Sequence, residues 1–199
     1  ISKIQNIQIA KSLSNMVEMA INRDIQILKK TADDHSMRNF ILNKKYQEIT
    51  KTLSDIYKFI GTDYESMSLV NENGIVIADG VDQHRVGISI KSRKYFNEAR
   101  EGKISVSSVN YSLATGNPIF AICVPVLSDD GKFIGCVLGV VKADYLLRYI
   151  SSLELGKTGF GFMIDKDGII IAHPEKKFIL TIDTLKENKD VREISKRMI

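Results

Sequence analysis

The chain of 199 residues is 44% hydrophobic and 26% charged, a composition typical of a globular protein. Its formal net charge is only +4, and its lysines and arginines are spread along the chain among Glu and Asp. Because nucleic-acid-binding surfaces need clustered basic residues, this distribution argues against a nucleic-acid partner. No stretch of sequence approaches the ~18 apolar residues that a membrane-spanning helix requires.

The first 60 residues predict a helical region. Apolar residues recur at three- and four-residue spacings through residues 1–32, which indicates one long amphipathic helix. Ser36 is predicted to cap a short helix over residues 37–42. A third helix is predicted over residues 44–60, and Gly61 follows it.

After Gly61 the pattern changes to short apolar segments separated by turn residues. They predict a five-stranded antiparallel sheet with a helix inserted after the second strand, which is a PAS-like α+β arrangement. The predicted strands are 66–70, 75–78, 104–109, 119–126 and 133–143, and the inserted helix is 93–100.

A ten-residue pattern occurs twice, with its glycines at Gly74 and Gly168. Residues 69–78 read LVNENGIVIA and residues 163–172 read MIDKDGIIIA. Asx-Gly supplies the positive φ angles of a tight hairpin turn, so the same hairpin is predicted twice. A solenoid repeats every ~20–50 residues, and this longer period predicts two tandem modules instead. Helices over 145–153 and around 186–198 are predicted in the second module.

The sequence contains no recognisable catalytic or metal-binding motif. His35, His84 and His173 lie in separate polar loops without the spacing of metal ligands. The segment from Gly156 to Thr158 reads like the end of a phosphate-binding loop, but Ser151 stands where that motif requires glycine. We therefore predict that the chain is not an enzyme and has no metal or other cofactor.

Cys123 and Cys136 fall on neighbouring predicted strands. With a two-residue turn at Asp129 and Asp130 they would lie directly opposite each other. A direct cross-strand disulfide tends to be strained, and two buried free thiols are the favoured interpretation.

Polar and aromatic residues from Lys91 to Asp144 predict a binding pocket, all of them following the first hairpin. Arg93 precedes Tyr95 and Phe96, and a guanidinium beside aromatic rings can hold a carboxylate through paired hydrogen bonds. Asp144 ends the last strand and is positioned to receive a cationic group. An Arg93–Asp144 salt bridge, or two unrelated surface charges, remains an alternative. The candidate ligand-binding residues are Lys91, Arg93, Tyr95, Phe96, Ser108, Tyr111 and Asp144.

Several segments, in order, resemble the double Cache family of extracytoplasmic sensor domains, which occur in prokaryotic chemoreceptors, histidine kinases and diguanylate cyclases. In the first module these are SRKYFNEA (92–99), ATGNP (114–118), VPV (124–126), DGKFIG (130–135) and GVVKAD (139–144). In the second they are GKTGF (156–160) and IAHP (171–174).

The resemblance implies a helical region (1–60), a membrane-distal ligand-binding module (61–145) and the start of a membrane-proximal module (146–199). It also implies a small-molecule ligand, a membrane-anchored parent protein and a possible homodimer formed through the N-terminal helix. Because the sequence starts with Ile and family members continue past this point, we expect it to be a piece of a longer protein. A spacer or dimerisation module that binds no ligand is the alternative. A haem- or flavin-binding PAS module would lack an obvious ligand residue.

Only part of the ligand-binding site of the amino-acid-binding family members has matching residues in this sequence. Arg93, the aromatic pair Tyr95 and Phe96, and the acidic Asp144 match their pattern. Ile88 stands where they have Tyr, and Val106-Ser107-Ser108 stands where they have Tyr-x-Asp, so an acidic residue that helps hold the ammonium group is missing. The expected ligand is therefore a small polar molecule that carries a carboxylate, and an α-amino acid is less well supported.

Overall fold

The computed structural model describes residues 3–151, 160–165 and 167–181. The chain divides into two compact units: residues 20–142, called the sheet unit, and residues 1–19 with 143–199, called the second unit. The module boundaries at 60/61 and 145/146 stay predictions. In the described residues, no helix is both long enough and apolar enough to cross a bilayer.

The helices follow the predicted periodicity closely. They are α1 (Lys3–Ala32), α2 (His35–Leu42), α3 (Tyr46–Ile60), α4 (Lys94–Arg100) and α5 (Asp144–Ser151). The prediction that Ser36 caps α2 is wrong. The cap is Asp34, whose carboxylate accepts hydrogen bonds from the amides of Ser36 (2.6 Å) and Met37 (3.2 Å).

The sheet unit contains the predicted antiparallel sheet. Its strands are β1 (Tyr64–Asn71), β2 (Val76–Asp79), β3 (Ser105–Val106), β4 (Asn110–Tyr111), β5 (Pro118–Leu127) and β6 (Phe133–Lys142). The strand order is β2-β1-β6-β5-β3, and β4 also pairs with β5. Of the strand predicted over 104–109, only Ser105 and Val106 form a strand (β3), and β4 is a separate short strand after an interruption. The interruption has a local cause, because the Ser107 hydroxyl accepts the hydrogen bond of the Ala121 amide at 2.9 Å.

One face of this sheet packs on helices. The Tyr64 hydroxyl donates to Asp24 of α1 at 2.8 Å, and α3 contacts β1 and β2. A Cβ atom at Gly139 would lie only 2.8 Å from the Tyr64 ring and 3.1 Å from Leu28, so glycine permits this close approach. The opposite face carries an apolar layer with α4: Val70, Val76, Ile90, Tyr95, Phe96, Ala99, Ala121, Cys123, Cys136 and Leu138.

The two cysteines lie in this apolar layer as buried free thiols, as favoured from the sequence. They are not directly opposite, because Cys123 pairs with Leu138 and Cys136 pairs with Pro125. The two-residue turn is wrong: the Ser128 amide donates to the Lys132 carbonyl across a three-residue loop. Burial, followed by a hydrogen bond with Cys123, raises the pKa of the Cys136 thiol well above its ordinary value.

The duplicated hairpin is confirmed. In the second unit, β7 (Met163–Ile164) pairs antiparallel with β8 (Ile170–Ala172), and its register matches that of β1 and β2 position for position. The turn is a three-residue loop whose glycine has positive φ, 81° at Gly74 and 78° at Gly168, whereas φ of Asn73 in the first loop is not positive. The expectation that Asx and Gly together supply positive φ angles is therefore wrong in detail for the first hairpin. Residues 152–159 and 182–199, which include the predicted helix at 186–198, lie outside the described residues.

Candidate ligand-binding cavity

A small cavity lies on the sheet face that carries α4. Its volume is about 50 Å³, where one water needs roughly 10–15 Å³. Its polar lining comes from β1, the loop after β2, the start of α4 and β4. The polar and aromatic lining residues are Glu65, Ser66, Ser68, Arg85, Arg93, Tyr95, Asn110, Tyr111 and Ser112, and the apolar ones include Val76, Ile88, Ile90, Ile119, Leu138 and Val140.

Glu65 reaches the cavity through an irregularity in β1. The pairing of β1 with β6 shifts between Tyr64 and Ser66, so Glu65 is an extra residue in the strand. Its buried carboxylate accepts hydrogen bonds from the hydroxyls of Ser112 and Thr115, the latter at 2.7 Å. Glu65 therefore holds the loop after β4 against the central part of the sheet.

Two serines and an aspartate form a fixed polar floor beside Glu65. The hydroxyls of Ser66 and Ser68 both donate to Oδ2 of Asp79, which is completely buried at the end of β2. The other oxygen, Oδ1, accepts from the amides of Val81 (2.7 Å) and Asp82 (2.8 Å). Asp79 lies behind the serines and orients their hydroxyls.

Arg93 stands at the N-terminal boundary of α4 and lines the cavity. Its Nη2 donates to the Tyr111 carbonyl oxygen at 3.4 Å, a long hydrogen bond. Among the residues that the structure describes, no carboxylate lies within ion-pair distance of Arg93. Burial raises the pKa of the neighbouring Tyr95 to about 12, so its hydroxyl stays protonated at neutral pH and can donate.

Arg85 ends a short 3₁₀ turn, Gln83–Arg85, and also lines the cavity. It is only 9% exposed. Its Nη2 lies 3.7 Å from Glu65 Oε1 and its Nη1 lies 3.5 Å from Asp82 Oδ2. Both are long ion pairs, and the buried Nε has no hydrogen-bond partner in the described part of the chain.

The structure brings together three of the seven candidate residues, since Arg93, Tyr95 and Tyr111 line the cavity. Phe96 is fully buried in the apolar layer, where its ring meets Phe133 edge to face at 6.0 Å.

The other three candidate residues are not among those that line the cavity. Lys91 and Ser108 are exposed, and the backbone of Lys91 covers the Gly74 turn. Asp144 begins α5 in the second unit and is ion-paired with Lys176 at 2.8 Å. Their roles toward a ligand stay predictions.

Sequence reasoning missed Glu65, Ser66, Ser68, Arg85 and Ser112. The expectation that every pocket residue follows the first hairpin is wrong, because β1 of that hairpin supplies three of them. The spacing of Ser66 and Ser68 in an otherwise apolar strand was an available signal, since residues two apart share a face. Nothing in the sequence marked the bulge at Glu65 or the burial of Arg85.

The chain matches the family described as "Cache domain" over residues 2–197. It belongs to the Cache family. The resemblance seen in the sequence motifs is thereby confirmed, as is the α+β fold. Cache sensor domains of chemoreceptors and kinases are ligand-binding domains without catalytic activity, which also confirms that this chain is not an enzyme.

Individual relatives agree with this Cache assignment. Sporulation kinase D of Bacillus subtilis is 33% identical over 113 residues, which are 56% of this chain and 21% of the kinase. The methyl-accepting chemotaxis protein McpA of Pseudomonas putida is 30% identical over 99 residues, 49% of this chain and 15% of McpA. The chain thus spans about a fifth or less of the length of these relatives.

A solved structure has the same fold. The ligand-binding domain of the Pseudomonas fluorescens chemoreceptor CtaA, in complex with L-serine, superposes with a TM-score of 0.66 at 16% identity. The match covers 86% of this chain and 71% of the CtaA domain.

Proposed function

We propose that this Cache domain is the extracytoplasmic ligand-sensing part of a membrane-anchored chemoreceptor or sensor kinase. The ligand is a small polar molecule with a carboxylate, and it binds in the cavity of the sheet unit, which is the membrane-distal module. The chemotaxis and kinase relatives support the receptor class, and the L-serine complex of CtaA supports a ligand of this size.

The position of the Arg93 guanidinium in the cavity is the main support for this proposal. Its guanidinium lines the cavity with one long hydrogen bond and no carboxylate beside it among the described residues. A guanidinium presents two parallel N–H groups that match the two oxygens of a carboxylate. The protonated Tyr95 hydroxyl supplies a further donor beside it.

Signalling would follow from binding because the ligand contacts both sides of the cavity. The floor belongs to β1, whereas Arg93 belongs to α4 and Tyr111 to β4. A ligand that bridges these elements favours the arrangement in which they lie closest. It can shift that equilibrium only by its difference in affinity between the two arrangements.

A thermal-shift screen of carboxylates, amino acids, amines and nucleobases, followed by titration calorimetry, tests the proposal. We expect a carboxylate to bind saturably, and Arg93→Ala to weaken it by roughly 10- to 100-fold because a charged hydrogen-bonded pair is lost. Arg100→Ala, an exposed arginine on the same helix, is the matched control and should bind normally. Equal binding by Arg93→Ala, or no carboxylate binding at all, would contradict the proposal.

A spacer and dimerisation module is the second candidate function. Four apolar residues of α1 are exposed, with Ile4 and Met19 the most exposed at 69% and 72%, and Ile7 and Met16 about half exposed. Such residues suit self-association of the helix in a homodimer. Sedimentation of the wild-type chain and of Ile4→Ser/Met19→Ser over a range of concentrations would show whether these residues hold a dimer.

A further inference from the structure

Arg85 is a second cationic group at the cavity whose hydrogen-bonding capacity is largely unused. The residue is 9% exposed and its side chain 11% exposed, and its Nε makes no hydrogen bond to a described residue. Its Nη1 and Nη2 atoms lie 3.5 and 3.7 Å from the nearest carboxylate oxygens, beyond good hydrogen-bond distance. Donors that are held only by such long contacts cost free energy on burial, and a ligand acceptor in the cavity would recover part of it.

The carboxylates near Arg85 are already engaged by other donors. Glu65 accepts from the hydroxyls of Ser112 and Thr115. Asp82 Oδ1 accepts from the His84 amide at 3.0 Å and lies 2.8 Å from His84 Nδ1. The cavity therefore offers spare donors rather than spare acceptors, which suits oxygen acceptors on a ligand and not an ammonium group.

We propose that Arg85 forms a second oxygen-binding subsite, which receives an uncharged acceptor on the acid whose carboxylate Arg93 holds. This inference rests on the proposed function. The ligand class is a short oxo or hydroxy acid. A second carboxylate suits the subsite less well, because the Glu65 carboxylate already lies 3.7 Å from Arg85.

The size of the cavity fits a short oxo or hydroxy acid. A volume of about 50 Å³ holds roughly three to five waters, and a three-carbon acid has a comparable number of heavy atoms. Tyr95 and the apolar side chains of Ile88, Ile90 and Leu138 surround the remaining space and favour a short carbon chain over a polar one.

Four acids with the same three-carbon skeleton test the subsite by titration calorimetry: propionate, pyruvate, L-alanine and malonate. We expect wild type to bind pyruvate roughly 10-fold more tightly than propionate, because pyruvate adds one acceptor for a charged donor. Alanine and malonate should bind more weakly than pyruvate. In Arg85→Met the preference for pyruvate over propionate should disappear, whereas Arg93→Met should weaken the binding of both acids.

Arg38→Met is the matched control. Arg38 also has a buried Nε that makes no hydrogen bond to a described residue, its ion-pair partner Asp129 Oδ1 lying 3.4 Å away, but it does not line the cavity. This variant should keep the full preference for pyruvate over propionate. Arg85→Lys, which keeps the charge and lacks the planar guanidinium, replaces Arg85→Met if that variant does not fold, and it should lose most of the preference.

The results separate this inference from the proposed function. Binding that depends on Arg93 but shows no preference for pyruvate, or a preference that survives in Arg85→Met, would overturn the Arg85 subsite alone. Tightest binding by alanine or malonate, or no binding by any of the four acids, would overturn it as well. The proposed function itself stands or falls with the wider screen and the Arg93→Ala variant.

Discussion

The two hairpins share a backbone and differ in the side chains that meet beside it. In the sheet unit, Ser66 and Ser68 of β1, Asp79 at the end of β2 and Arg85 in the following 3₁₀ turn form a polar group. The corresponding residues of the second unit are Phe160, Phe162 and His173, and Phe178 ends its 3₁₀ turn as Arg85 ends that of the sheet unit. Their three phenyl rings lie 5.1, 6.2 and 4.7 Å from the His173 ring, centroid to centroid.

Asp79 and His173 nevertheless make the same kind of hydrogen bond, which each accepts from a backbone amide two residues further along the chain. Asp79 Oδ1 accepts the amide of Val81 at 2.7 Å, and His173 Nδ1 accepts the amide of Glu175 at 2.9 Å. Each side chain thus fixes the start of the loop that follows its hairpin.

This difference between the two units indicates which of them can bind a polar ligand. Both copies keep the residues that determine the turn, whereas the side chains beside it have changed from hydroxyl, carboxylate and guanidinium to aromatic rings, of which Phe160 and Phe162 are exposed. The polar set offers a small molecule several donors and acceptors, and the aromatic set offers only those of His173. This supports the sheet unit as the ligand-binding module and the second unit as a supporting one.

The largest expected effect on stability comes from replacing Asp79, and His173 is the residue to compare with it. Asp79→Ala leaves two serine hydroxyls and two amides without an acceptor, so we expect the sheet unit to lose about 3–5 kcal/mol of stability. His173→Ala should cost about 1–2 kcal/mol, since it removes one acceptor and some ring packing. Amide hydrogen exchange, which reports the stability of each unit separately, measures both. An equal or larger loss in His173→Ala would contradict the comparison.

Making the first copy resemble the second should remove the cavity. Ser68→Phe introduces the ring found at Phe162 into a space of about 50 Å³. We expect binding of pyruvate to be lost and stability to fall by about 1–3 kcal/mol through overpacking. The reverse change in the second unit, Phe162→Ser, should leave binding unchanged. Titration calorimetry distinguishes these outcomes, and retained binding in a folded Ser68→Phe variant would exclude this cavity as the site.

The smallest expected effect concerns the turn that both copies keep. Asn71 accepts from the amides of Asn73 and Ile75, and Asp165 accepts from those of residues 167 and 169, all at 2.9–3.0 Å. Asn71→Ala and Asp165→Ala should therefore each cost about 1 kcal/mol. Hydrogen exchange at the strand amides checks this. A clear inequality would mean that the two turns are not equivalent.

Local sequence patterns predicted most of the helices and both hairpins. They did not predict the features that depend on the register between strands. Apolar periodicity determined α1 and α3, and the Asx and Gly positions identified both hairpins. Arg93 and Tyr95 were found because they are neighbours in sequence at a helix start. Glu65 enters the cavity through a bulge, and Cys136 moves off Cys123 through a one-residue-longer turn and a one-residue register shift between Val126 and Leu127. Such one-residue shifts change which side chains face each other without changing the composition of a strand.

A crystal structure of the chain grown with pyruvate tests the central claim most directly. We predict density for the acid in the cavity of the sheet unit, with its carboxylate on the Arg93 guanidinium and its oxo group within hydrogen-bond distance of the Arg85 guanidinium. Density for the acid beside His173 in the second unit, with the Arg93 cavity empty of it, would contradict the account.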